Sequence, residues 1–321
     1  MANAPFIIQP RLTAITLAYR NQRLVADDVL PRVPVDSPLF KYSQYTLGDA
    51  FTVPDTRVGR KGDVNEIDWT ASETEASTKD YGLEDAIPYY DIMAARAAQA
   101  TQGVYPIDPE ARSTELLTDL VLLDREVRVS NLVMNPASYP SSNVKTYSTG
   151  ATQWNATNTS ATPIQDITAA QDAMIIRPNK AVMGRAVFTQ LAQHPTIVKA
   201  YNGTTGDTGI VPEKFIANLF ELDEIIVGEG WVNIAKKGQA VSLQRVWGKS
   251  MVLYYEAPVL YSPQGAATFG FTAEWGQRLA GVIEQDSDIG LRGGTRVRVG
   301  ESVCEVIAGN NLGYLFQNCV N

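Results

Sequence analysis

Residues 108–135, DPEARSTELLTDLVLLDREVRVSNLVMN, are the longest stretch of helical periodicity in the chain, and no other segment limits the fold as strongly. Asp108 is placed to cap the first turn by accepting one of the backbone N–H groups that a helix start leaves unpaired. Pro109 follows at the first helical position, where its missing N–H costs nothing and its fixed φ suits the helix. Glu110 then meets the positive end of the helix dipole. Leu116, Leu120, Leu123 and Val127 recur at spacings of four, three and four, which predicts a core-facing stripe. Arg112, Glu115, Asp119, Arg125 and Arg128 fall mostly off that stripe and are expected to face water. Asn135-Pro136 closes the helix, because a residue before proline is pushed out of the α region. At 1.5 Å per residue the rod is roughly 40 Å long, more than a compact domain needs.

The rod is embedded in a chain of 321 residues that is 45% hydrophobic, enough for a substantial core in one large domain or two. Its net charge of −8 argues against an electrostatic nucleic-acid binder, which needs a basic face. No apolar run approaches the length of a membrane span and no secretory signal opens the sequence, so synthesis in the cytoplasm is expected. Cys304 and Cys319 are too few for a disulfide framework and are expected to be two buried thiols.

Before the rod, residues 1–36 read as an arm. Pro31 and Pro34 prevent a continuous helix in LVADDVLPRVPV, and the extended result is expected to lie against another surface. Residues 37–84 read as a long polar hairpin. FKYSQYTLGDAFTV and VNEIDWTASETEASTKDYGLE are its strands, and PDTRVGRKGD is its tip, carrying Arg57, Arg60 and Lys61. The return strand carries Asp63, Glu66 and Asp68. A two-stranded ribbon this polar cannot bury enough surface to be stable alone. Its positive tip and negative return are expected to meet opposite charges on a neighbour, which sets register more than affinity.

After the rod, residues 136–163 are rich in Ser, Thr and Asn and read as a surface excursion. From Ile164 helices and strands alternate: RAVFTQLAQHP and PEKFIANLFEL as helices, NKAVMG and DEIIVG as strands. TRVRV, SVCEVIA and GYLFQNCV are expected to form a terminal antiparallel meander, broken at Gly300. The fold class is therefore α+β.

A search for chemistry finds little. The single histidine, His194, ends a helix and is expected to meet its last carbonyls. Gly248-Lys249-Ser250 lacks the first glycine of a phosphate loop, and Asp286, Asp288 and Gly290 lack the closing glutamate of a calcium loop. No catalytic, cofactor-binding or metal-binding residue is assigned, and no cofactor is expected.

The ordered set of LAYRNQRLVADDVLPRVPV, DAFTVPDTRVGRKGDVNEIDW, the rod, RPNKAVMGRAVFTQLAQHPTIVKAY with LFELDEIIVGEG, and GLRGGTRVRVGESVCEVIAGNNLGYLF resembles the major capsid proteins of tailed bacteriophages, with the Hong Kong 97-type coat fold. The resemblance implies an N-terminal arm over 1–36 and an extended E-loop over 37–84. It implies a P-domain over 85–164 with a spine helix at 108–135, an A-domain over 165–262, and return strands of the P-domain over 263–321. It implies a non-enzymatic shell protein that forms hexamers and pentamers closing into an icosahedral head around phage DNA. The implied partners are the chain itself, a scaffolding protein, a portal and a decoration protein, with packaged DNA held non-specifically and no membrane. The implied location is the virion capsid, assembled in the host bacterial cytoplasm. An encapsulin-type nanocompartment shell shares this fold, and an α+β enzyme with an unrecognised site is a third reading.

Overall fold

The computed structural model describes residues 6–45, 53, 55–58, 60, 62, 64, 66, 71–102, 108–148, 150, 152–203, 206–258 and 267–321. From the N-terminus the chain runs β1 (Ile7–Ile8), α1 (Pro10–Ala18), α2 (Ala26–Val29), β2 (Arg32–Val35), β3 (Leu39–Tyr45), β4 (Ala71–Ser77), β5 (Lys79–Pro88), α3 (Tyr89–Gln102) and α4 (Pro109–Val133). There follow β6 (Val144–Thr146), α5 (Pro163–Ala173), β7 (Lys180–Gly184), α6 (Arg185–Gln193), α7 (Pro195–Asn202), α8 (Glu213–Leu219) and β8 (Glu224–Gly228). The last strands are β9 (Trp231–Asn233), β10 (Leu243–Arg245), β11 (Met251–Tyr254), β12 (Gly270–Trp275), β13 (Leu279–Asp286), β14 (Gly294–Ile307) and β15 (Gly313–Gln317).

Helix α4 starts as its sequence dictates: the Asp108 carboxylate accepts the Glu110 N–H at 3.1 Å, and Pro109 takes the first helical position. The expected core stripe is corrected. Leu116 and Leu120 are 59% and 52% exposed, and Leu123 and Val127 are half-buried. The face turned inward carries Leu117, Val121, Leu122, Val129 and Val133, together with Thr114, Thr118, Arg125 and Glu126. Polar groups on that face hide it from a search for apolar spacing. The Thr114 and Thr118 hydroxyls satisfy themselves by donating to the carbonyls of Glu110 and Thr114, at 2.8 and 2.7 Å.

Two sheets meet around this helix. The first has the order β1-β13-β14-β12-β2, with β5 also on β14. The terminal meander is also corrected: TRVRV and SVCEVIA are one continuous strand, β14, fourteen residues long. Gly300 does not turn the chain but lies opposite Gly82 of β5. A Cβ on Gly300 would stand 3.0 Å from the Tyr81 carbonyl oxygen, and one on Gly82 would stand 3.1 Å from that of Val299. The glycines thus permit a close approach of two extended backbones. GYLFQ, as β15, leaves this sheet for the second, whose order is β6-β15-β11-β7-β8.

In the second sheet β7 and β8 are parallel, as the strand–helix–helix–helix order between them requires. Met183, Leu191, Ile197, Ile216, Phe220, Leu253 and Phe316 lie in the core that the helices close over it. Val129 and Val133 of α4 pack with Val182, Val252 and Leu315 in a second cluster, so α4 also supports this sheet.

Two segments expected to lie on the outside have internal partners. Residues 10–35 are not a free arm. Leu12, Val29 and Leu30 are buried, and β2 pairs in parallel with β12 despite Pro34. Prolines excluded a long helix there without excluding an edge strand. Residues 136–163 are held inward by aromatic anchors, with Tyr139, Tyr147 and the wholly buried Trp154 along them. The Asp166 carboxylate accepts from Lys145 Nζ at 2.7 Å, Tyr147 Oη at 2.6 Å and Trp154 Nε1 at 3.0 Å, which fastens this segment to α5.

β3 and β4 form an antiparallel ribbon that joins no other strand among the described residues. Its root is closed by the Thr78 N–H, which donates to the Pro38 carbonyl at 2.8 Å, and Tyr42 sits edge-on to Phe271, 6.1 Å between centroids.

Candidate functional site

The residues singled out for inter-subunit contact belong to the ribbon. Arg57, Arg60 and Glu66 are exposed, and Lys61, Asp63 and Asp68 lie outside the described residues. Nearer the root, Lys41 reaches Glu73 and Glu75 at 3.3 and 3.4 Å, all three on well-exposed side chains. Pairs this open to solvent contribute little to stability, which leaves their charge available to another surface.

Beneath the ribbon, β5 is fixed to β14 by more than its ladder. Glu84 accepts from Arg296 at 3.2 Å and from Arg298 at 2.7 Å, and Asp85 accepts from Ser113 of α4 at 2.7 Å. Arg128 of α4 bonds Glu305 at 2.9 Å while its guanidinium lies 3.5 Å from the Tyr81 ring centroid. The strand that continues the ribbon is thereby locked to both α4 and the sheet.

The densest polar arrangement was not foreseen from the sequence. Arg125, expected to face water, is wholly buried, and it donates to Asp27, to Thr272 Oγ1 at 3.0 Å and to the Leu30 carbonyl at 3.3 Å. Arg32 bonds the same Asp27 at 2.8 Å, Glu274 at 2.8 Å and Glu301 at 2.9 Å, and Arg278 meets Glu301 at 3.0 Å. Arg278 also donates to the Thr16 carbonyl at 2.9 Å. Glu126 accepts the N–H groups of Val25 and Ala26 at 3.1 and 2.7 Å and the indole N–H of Trp247. Burial works to raise the Asp27 carboxyl, but Arg125 and Arg32 hold it below its ordinary range. For Glu301 the same balance, against Arg32, Arg278 and Arg125, also ends low. Glu126 is pushed up by burial, with its donors opposing. This lattice welds residues 13–35 to α4, β12 and β14. The signal in the sequence was the run of charges in DDVLPR and DREVR, whose pairing across a separation of about 100 residues no local pattern reveals.

His194 is also placed differently from expectation. It is buried, and its Nδ1 accepts the Thr196 N–H as the cap of α7, while Nε2 lies 3.3 Å from the Asn158 carbonyl. Burial lowers its pKa, and the partners suit the neutral ring with hydrogen on Nε2. Among the described residues no group of three or more His, Cys, Asp and Glu side chains is arranged to hold a metal ion. No described helix is long and apolar enough to cross a membrane. Cys304 and Cys319 are both free, the first half-buried and the second buried.

The arrangement is structural rather than chemical: two sheets braced by α4, an internally tied N-terminal segment and a charged ribbon that joins no other described strand. Comparison with known proteins agrees. The family described as Phage major capsid protein E matches residues 140–236. A major capsid protein of Pseudomonas phage JBD67 is 48% identical over 320 residues, covering 100% of this chain and 99% of that protein. A phage-related protein from Bordetella bronchiseptica has the same fold at 22% identity, with a TM-score of 0.75 over 98% of this chain and 99% of that one. The capsid structure of cyanophage P-SCSP1u matches at 10% identity, with a TM-score of 0.58 over 99% and 92%.

Proposed function

This chain belongs to the family of phage major capsid proteins, and we propose that it builds its shell from hexamers and pentamers in which the β3–β4 ribbon of each copy lies across a neighbour. As a major capsid protein it is a structural subunit of the virion capsid and self-assembles into the shell. The same fold occurs in nanocompartment shells, but the high identity over the whole chain is to a phage protein.

The observation that carries the ribbon's role is its isolation. Seven residues of β3 pair with seven of β4 and with no other described strand, and the exposed Arg57, Arg60 and Glu66 lie on the segment joining them. A pair of strands with this little apolar cover gains its order from a surface outside its own chain. Contacts repeated head to tail around a ring are heterologous interfaces that close by rotation. The enclosed cargo is phage DNA, contacted without sequence preference, and the acidic total of the chain keeps the shell from adhering to it. A scaffolding protein, a portal and a decoration protein are the expected partners during assembly in the host cytoplasm, and catalysis has no part in the role.

Reversing the charge at the ribbon tip tests the proposal. Arg57→Glu with Lys61→Glu is expected to leave a folded chain that no longer forms particles in sedimentation and electron microscopy. Normal particles from that variant would remove the tip from the interface.

A further inference from the structure

A second ribbon carries a different surface. β9 and β10 pair antiparallel over three residues each, and no third strand joins them among the described residues. Trp231 pairs with Arg245 across the two strands, with the guanidinium 4.4 Å from the ring centroid. Around this pair Ile234, Val241 and Leu243 are 59%, 71% and 60% exposed, and Trp231 is itself 45% exposed. Four large apolar side chains on one short hairpin exceed the scattered exposure that a soluble surface normally shows. The hairpin's root is rigid: Gly230 accepts from Val246 at 3.0 Å, and a Cβ on Gly228 would collide with the Trp247 ring at 2.0 Å.

The charge on this hairpin opposes that of the chain. Residues 231–245 contain Lys236, Lys237 and Arg245 and no carboxylate, which leaves the remaining residues with 24 basic against 35 acidic, a net of −11. The acid is concentrated. Residues 63–91 carry nine carboxylates and one lysine, and within them Glu73 and Glu75 of β4 project into solvent, sharing the single exposed Lys41 and so keeping a net negative charge. Glu84, Asp85 and Asp80 in the same stretch are instead engaged by Arg296, Arg298, Ser113 and Ser302.

We propose that the β9–β10 hairpin is an assembly contact that docks on the acidic β3–β4 ribbon of a neighbouring copy. Lys236 and Lys237 face Glu73 and Glu75 there, and Val241 and Leu243 are covered at the centre. Charge complementarity chooses the partner and fixes the register, and the apolar residues supply the buried area. The inference rests on the reading of this chain as a shell subunit, and it goes further by naming both faces of one contact.

The test uses the full chain, with wild type beside each variant, in sedimentation velocity and electron microscopy. Wild type is expected to form shells with a phage scaffolding protein present, and its failure to do so would defeat the shell reading rather than this contact. Lys236→Glu/Lys237→Glu is expected to unfold at the wild-type denaturant midpoint and to reduce particle yield at least tenfold. Val241→Asn/Leu243→Asn is expected to do the same without altering charge. Adding Glu73→Lys/Glu75→Lys to the lysine variant is expected to restore particles. Shells from both hairpin variants at wild-type yield would overturn the proposal, including the case in which the hairpin meets DNA or another head protein. Lost assembly without recovery in the fourfold variant would overturn the ribbon as the occupant.

Discussion

Oε2 of Glu126, on the buried face of the spine helix, accepts the backbone N–H of Ala26 at 2.7 Å across 100 residues of sequence. With Oε1 on the Val25 N–H, this one carboxylate caps the turn 26–29 from outside it and receives the Trp247 indole as well. It joins the N-terminal segment, α4 and the turn that leads into β11 of the second sheet at a single point. Glu126→Ala strands three buried donors, and the expected cost is about 3 kcal/mol in denaturant unfolding. Glu126→Gln, which keeps one acceptor oxygen, is expected to lose less.

The arginine–carboxylate lattice makes the N-terminal segment sensitive to acid. Asp27 and Glu301 are held below their ordinary pKa values. Their stabilising contribution is therefore complete above the unfolded carboxylate range near pH 4 to 4.5 and is lost as pH falls through the lower folded values. Melting temperature measured from pH 7 to pH 3 is expected to drop steeply below about pH 4.5. Asp27→Asn and Glu301→Gln are expected to be less stable at pH 7 and to show a shallower drop.

His194 gives a second pH dependence at a separate place. Burial lowers its pKa, so the folded state holds the neutral ring. Stability from this group is fully present above the unfolded value of about 6.5 and falls as pH drops below it. His194→Asn retains a capping acceptor, whereas His194→Ala removes it at a cost of about 1 kcal/mol from the cap alone. Unfolding curves at pH 7.5 separate the two variants by the cap, and comparison with pH 5.5 isolates the titration, since neither variant should keep the wild-type difference between these pH values.

The register of the spine helix is tested by contrast. Leu116→Ser and Leu120→Ser alter exposed positions and are expected to change the stability of the unassembled chain by less than about 0.5 kcal/mol. Leu117→Ala and Leu122→Ala empty buried positions and are expected to cost about 2–4 kcal/mol.

That contrast also marks where the sequence was readable. Asp108 and Pro109 announced the start of α4 because capping is local, and its end fell within two residues of the proline signal. NKAVMG, RAVFTQLAQ, PEKFIANL and DEIIVG appeared as β7, α6, α8 and β8 for the same reason: each carries its own pattern and its own stops. The inward face of α4 did not appear, since Arg125 and Glu126 are buried only through partners some hundred residues away. The arm misled because Pro31 and Pro34 report what a backbone cannot do, not which edge strand it joins. Trp154 was overlooked amid Ser, Thr and Asn, although one buried indole on Asp166 outweighs the polarity around it. The polar ribbon was legible by its alternation, although residues 79–84, read as the end of its return strand, pair with β14 instead; the β9–β10 hairpin was not recognised, and its surface was missed.

The central claim is that this chain alone encodes a shell subunit whose ribbons meet neighbouring copies. Electron microscopy of the purified protein, negatively stained at low and at high concentration, tests it most directly. Closed shells or rings of five and six subunits, increasing with concentration, are the result expected. Monodisperse monomers at every concentration, with a phage scaffolding protein added or not, would contradict the account.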